Sequence, residues 1–175
     1  MSGEDNFVKK FSDLNIVPLI ISYEYDPCDF LKTRELYISR HKTYVKAPGE
    51  DLNSMITGIK QFKGNIQLIV ANPITEKDLS EIGDVHKNEQ IEALAKLLDA
   101  RVYNNYRLWN TNYIAYDILN GTCFENIYSP YEKAVFVDYM NMGLSVIEGD
   151  RNELESIFLG IYANPVANYI KINSS

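Results

Sequence analysis

Residues 15–25 read Asn-Ile-Val-Pro-Leu-Ile-Ile-Ser-Tyr-Glu-Tyr. Positions 16–21 are apolar without alternation, the pattern of a strand covered on both faces. Pro18 has no N–H to give a ladder, so it belongs at the strand's beginning or on an unpaired side. A strand of this kind needs neighbours, and the flanking sequence is where they are sought.

Downstream, Asp26 and Pro27 have the form of a helix start, Asp26 as cap and Pro27 in the first helical position, for a helix through Phe30, Leu31 and Leu36. Pro48 opens another, in which Leu52, Met55, Ile56 and Ile59 fall on one face, with a stop near Gly64. A second apolar run, residues 65–71, closes at Asn72-Pro73. A strand, helices and a strand in this order form a crossover unit, which predicts parallel strands. Upstream, Phe7, Val8, Phe11 and Leu14 make the stripe of a helix over residues 3–13, with Ser2 as its cap.

From residue 88 the pattern is helical only. Asn88 caps a helix through Ile91, Leu94, Leu97, Leu98 and Val102, and Thr111 caps one through Ile114, Ala115, Ile118 and Leu119 that stops at Gly121. Ser129-Pro130-Tyr131-Glu132 is a capping box with proline at the first helical position. Asp150 begins a last helix, through Leu154, Ile157 and Phe158 to Asn164-Pro165. The expected fold class is therefore α/β: a partial parallel sheet of two or more strands with covering helices, then an all-helical carboxy-terminal region. The boundary falls near residue 87, giving an α/β part over 1–87 and a helical extension over 88–175. Two strands covered on both faces make a marginal sheet by themselves, so the chain is expected to be the carboxy-terminal portion of a larger protein, or to borrow strands from a partner chain.

Composition narrows the function classes. With 17 basic against 24 acidic residues and no basic run longer than Lys9-Lys10, no nucleic-acid footprint is present. Two cysteines, Cys28 and Cys123, give no disulfide framework and no zinc spacing; both read as buried, reduced thiols, and no metal site is expected. No apolar stretch reaches the roughly 18 residues that span a bilayer, and the acidic start is unlike a signal peptide, which predicts a cytoplasmic protein. The 13 tyrosines, many in the second half, suit half-buried helix faces and interfaces. His41 and His86 are the only histidines, and neither begins an H-x-x-x-x-D pair, so no catalytic residue is assigned. Glu24, Asp26 and Asp29 read as strand-end and helix-start residues.

Val17-Pro18-Leu19-Ile20-Ile21 resembles the last motif block of the 1-acyl-sn-glycerol-3-phosphate acyltransferase family, an apolar strand carrying Val-Pro. Residues 23–32, 47–64 and 105–119 are similar to the long carboxy-terminal extension of the bacterial members. The resemblance implies a parent that moves a fatty acyl group from an acyl-CoA or acyl-carrier-protein thioester to a lysophospholipid or glycerol-phosphate hydroxyl. No bound cofactor is implied beyond that thioester co-substrate. The H-x-x-x-x-D motif is absent, so this chain alone is expected to be inactive, its partners being the missing amino-terminal catalytic part and a lipid, with peripheral contact at the inner face of the membrane. By analogy with open α/β sheets, substrate would lie at Pro18, Ser22, Tyr23, Glu24 and Tyr25. The alternative is a non-catalytic interaction module that uses tyrosine-rich helices and an open sheet edge.

Overall fold

A computed structural model describes residues 4–121 and 124–173, so the expectations attached to Ser2 and Cys123 lie outside the described residues. The elements are α1 (Glu4–Ser12), β1 (Leu19–Tyr23), α2 (Asp29–His41), α3 (Glu50–Lys60), β2 (Ile66–Val70), α4 (Glu76–Gly83), α5 (Gln90–Asn105), α6 (Asn110–Asn120), α7 (Pro130–Leu144) and α8 (Arg151–Asn173). The class is α/β with a helical carboxy-terminal region. Among the described residues no helix is long and apolar enough to cross a membrane.

The strands pair antiparallel, not parallel as expected. The Ala71 N–H donates to Pro18 O at 3.0 Å and the Glu24 N–H to Asn65 O at 2.9 Å. These two bonds fix one register, in which Leu19 faces Val70 and Ile21 faces Leu68. The reason lies at Glu24. Its carboxylate accepts the backbone N–H of Asn65 at 2.8 Å and the Asn65 side-chain amide at 2.7 Å, so the excursion through α2 and α3 returns to the end of β1 from which it left. Gly64 at φ +60° makes that return possible, because a Cβ there would run into the Glu24 side chain.

Two compact units result, and both are discontinuous in sequence: residues 1–22 with 67–107, and 23–66 with 108–175. The single division near residue 87 does not describe them. In the first unit, α1, α4 and α5 close over Phe7, Ile74, Leu79, Ile82 and Leu94. Helix α4 is absent from the sequence reading, although Thr75 and Asp78 form a capping box at its start. Arg101 fastens the strap after β2, donating to Asn72 O, Pro73 O and the Asp78 carboxylate at 2.7–2.9 Å.

In the second unit, α6, α7 and α8 enclose Ile114, Phe136, Met140, Leu144, Leu154, Phe158 and Tyr162. Ser129 and Glu132 form the expected capping box of α7, and Asp150 accepts the Glu153 N–H at the start of α8. Helix α8 does not stop at Asn164-Pro165 but runs through it. An interior proline costs about 3 kcal/mol; here Leu159, Tyr162, Ala163 and Val166 are all buried around it and offset that cost. Helix α2 starts at Asp29 rather than Pro27, with Asp26 accepting the Cys28 N–H at 2.8 Å ahead of it.

Phe30 of α2 stacks on Phe158 with ring centroids 5.2 Å apart, and it lies against Gly143 of α7, where a Cβ would overlap its ring. We expect Gly143→Ala to lose about 1–3 kcal/mol in urea unfolding despite its better helix propensity. Gly160→Ala, in open space on α8, should instead gain about 0.5–1 kcal/mol.

Candidate functional site

The five residues expected at the substrate do not converge on one place. Pro18 is half-buried and contributes its carbonyl to the ladder. The Ser22 side chain is 1% exposed, and its hydroxyl is buried without a hydrogen-bond partner; facing the covered side of β1, it is out of a ligand's reach. Tyr23 is half-buried at the end of β1. Glu24 and Tyr25 do line a common cleft, with Asn110, Thr111, Ile114, Tyr131, Glu132 and Val135.

That cleft measures about 150 Å³, whereas ligand pockets run to roughly 300–1,000 Å³. Its two carboxylates are also committed. The Glu24 carboxylate holds Asn65, and the Glu24 carbonyl accepts the Thr111 hydroxyl at 2.6 Å. Glu132 accepts the N–H and hydroxyl of Ser129 and the amide of Asn110, all at 2.7 Å; the Ser129 N–H, foremost, holds its carboxyl below the usual range. Tyr25 sets its ring edge-on to Tyr139 at 4.9 Å, and burial pushes its phenol above the ordinary value. A second cleft, of about 320 Å³, lies beside Val70, Ala71, Asn72, Arg101, Asn104 and Asn105. The Arg101 guanidinium there is already spent on Asn72, Pro73 and Asp78.

Other reactive side chains are equally engaged. His41 is the last residue of α2 and meets Glu153 at 2.8 Å, a pair 112 residues apart that no local motif announces. Both partners are solvent-exposed enough for such a contact to be worth little. His86 is exposed, and its Nδ1 accepts the Asn88 N–H at 3.4 Å. Cys28 is half-buried rather than buried. Its thiol donates to Ser54 O, and burial, then Asp26, pushes its pKa up, so it stays protonated and poorly nucleophilic. Among the described residues no group of His, Cys, Asp and Glu is placed to hold a metal ion.

The most perturbed group is Asp29, 2% exposed at the start of α2. It accepts the Tyr162 hydroxyl at 2.6 Å, the Tyr139 hydroxyl at 2.9 Å and the Phe30 N–H at 2.7 Å. Burial nevertheless outweighs these three donors and lifts its pKa from 3.8 to about 6. Desolvation, with the Asp29 charge beside them, pushes both tyrosines well above the ordinary phenol range. The Tyr162 hydroxyl also accepts the Asp26 N–H at 3.0 Å. Asp29 lines neither cleft, and its bonds to Tyr139 and Tyr162 make this network a knot joining α2, α7 and α8. Its members are 110 and 133 residues apart, which is why Asp29 in the sequence reads only as a helix-start acid.

Because the folded chain keeps on Asp29 a proton that the unfolded chain releases, its contribution to stability is present below about pH 4 and lost as pH rises through about 6. The change amounts to at most roughly 3 kcal/mol. We expect urea-unfolding stability to show this loss on going from pH 4 to pH 7, and the wild-type minus Asp29→Asn difference curve to carry it; coincident curves would remove the buried-carboxylate account.

Compared with known proteins, the chain matches no family model, no curated protein and no solved structure.

Proposed function

We propose that this chain is a non-catalytic interaction module whose two-stranded ribbon receives an extended segment of a partner along β2. The carrying observation is the outer face of the ribbon. Leu19 and Ile21 of β1 and Leu68 and Val70 of β2 share it and are exposed by 59%, 42%, 59% and 68%. In this register residues 18, 20, 22 and 24 exchange backbone bonds with 71, 69, 67 and 65. The alternate residues 66, 68 and 70 therefore turn their N–H and C=O groups away from β1. An exposed edge strand with outward-turned backbone groups is the template for strand addition. Strand β1 is anchored by Ile20 and Ser22, whereas no residue of β2 is fully buried, so β2 is the freer edge.

The chemistry of the rest supports the same reading. The carboxylates of the first cleft and the guanidinium of the second are already committed, and the smaller cleft is under the size of a substrate pocket. Acyl transfer by a longer parent is the rival proposal. It draws on the resemblance of residues 17–21, and it shares the bare ribbon face, which a carboxy-terminal portion would present to the rest of its sheet. Because that rival leaves this chain inactive by itself, it would be favoured by turnover of an acyl thioester with lysophosphatidate only when the chain is joined to an amino-terminal part carrying an H-x-x-x-x-D motif.

Proline scanning separates the edge from the ladder. Leu68→Pro removes an outward N–H and leaves the pairing with β1 intact; Gln67→Pro removes an inward one. Panning a displayed library of extended peptides with alternating apolar residues against the chain should yield binders. We expect Leu68→Pro to keep the melting temperature within about 3 °C while losing those peptides, and Gln67→Pro to lower it. Peptides that bind Leu68→Pro as well as wild type would refute strand addition at β2.

A further inference from the structure

We propose that the cleft formed by Glu24, Tyr25 and the starts of α6 and α7 holds a guanidinium group, the head of an arginine side chain carried by a partner. The proposal does not rest on strand addition at β2. A volume of about 150 Å³ is too small for a whole substrate, but it equals the share of about five water molecules, enough for the flat head of one side chain.

The two carboxylates of this cleft have hydrogen bonds but no counter-charge. Glu24 is held by the N–H and the side-chain amide of Asn65, and Glu132 by Ser129 and Asn110; every one of these donors is neutral. Among the described residues neither acid stands in an ion pair. Lys63, whose carbonyl takes the Tyr25 N–H, spends its ammonium on Ile59 O and Gln61 O. Glu132 is ionised at neutral pH, since the Ser129 N–H, foremost, holds its carboxyl below the usual range. Both acids bear on one ring, for after burial it is Glu24 and then Glu132 that push the Tyr25 phenol up. The amino ends of α6 and α7 add roughly half a positive charge each, which against two carboxylates leaves about one negative charge, the complement of a monovalent cation.

What the cleft still offers is acceptors and rings. Both Asn65 bonds fall on Glu24 Oε2, so Oε1 receives none. Asn110 gives its amide to Glu132 and keeps its Oδ1, while the Thr111 hydroxyl is spent on the Glu24 carbonyl at 2.6 Å. A guanidinium is a pure donor whose N–H groups fan out in one plane, so it can serve acceptors on separate walls, where an ammonium is a compact point charge. It also stacks on aromatic faces. Tyr25 and Tyr131 line the cleft, and Tyr25 is fixed by Phe62 and Tyr139, ring centroids 5.3 and 4.9 Å away. A divalent metal takes many more oxygens than two carboxylates give, and among the described residues no third acid or histidine joins them.

Titration of the isotope-labelled full chain with N-acetyl-L-arginine amide, followed by backbone amide chemical shifts, is the test. We expect saturable shifts at Tyr25, Thr111 and Tyr131, with a Kd on the order of 1 mM. N-acetyl-L-citrulline amide, its uncharged counterpart, and N-acetyl-L-lysine amide should each bind at least about fivefold more weakly. Glu24→Gln and Glu132→Gln should each weaken arginine binding roughly fivefold; glutamine also completes a capping box, so α7 keeps its start. Tyr131→Ala, at a side chain 77% exposed, should weaken it roughly threefold with unchanged circular dichroism. Absence of saturable shifts, citrulline or lysine compounds that bind as tightly as arginine, or glutamine variants that bind as tightly as wild type would each overturn the proposal.

Discussion

The grip of the Glu24 carboxylate on Asn65 sets the direction of the ribbon. By taking both the backbone N–H and the side-chain amide of Asn65, it brings the far end of the α2–α3 excursion back to the residue where the excursion began, and Gly64 supplies the left-handed turn this requires. A parallel crossover would have carried the chain to the other end of β1. Once β2 runs back along β1, only one face of the ribbon is occupied, by Ile20 and Ser22, and the other is left apolar and open.

A second carboxylate illustrates the opposite balance. Asp29 receives three hydrogen bonds and still has its proton held to about pH 6, because losing water costs an ion more than two phenols and one N–H return. The network it joins is local in space and remote in sequence. Its reward is geometric: the start of α2 is fixed against α7 and α8 through directional bonds, where apolar packing alone, such as Phe30 on Phe158, would permit sliding. Buried polar groups of this kind specify one arrangement at some expense of stability.

Local physics made much of the fold legible. The capping box at Ser129, the glycine stop at Gly121, with φ +63°, and the apolar stripe of α1 are all decided within a few residues, and each element is where its residues put it. What failed depends on distant partners. Strand direction turned on Glu24 meeting Asn65, and the passage of α8 through Pro165 on the burial of Val166. The partition of the chain turned on α5 packing with α4. Of the candidate site, Glu24 and Tyr25 were found at the cleft, while Ser22 faced inward, because an unbroken apolar run does not say which of its two faces will be covered. Thr111 and Glu132 had been visible only as helix-cap residues.

That ambiguity bears on function. A run apolar at every position and a helix with a strong apolar stripe are both promises of burial, and this fold leaves each promise half kept: Leu19, Ile21, Leu68 and Val70 on the ribbon, Leu52, Met55, Ile56 and Ile59 on α3. Transfer of such side chains out of water is worth about 1.5–3 kcal/mol each when complete, so eight of them outside the cores represent a driving force comparable with the net stability of a domain. The polar side chains tell the reverse story, since the carboxylates of Glu24 and Glu132 at the first cleft are spent on a turn and a helix cap. The apolar surface left outside the cores is therefore concentrated on one ribbon face and one helix face.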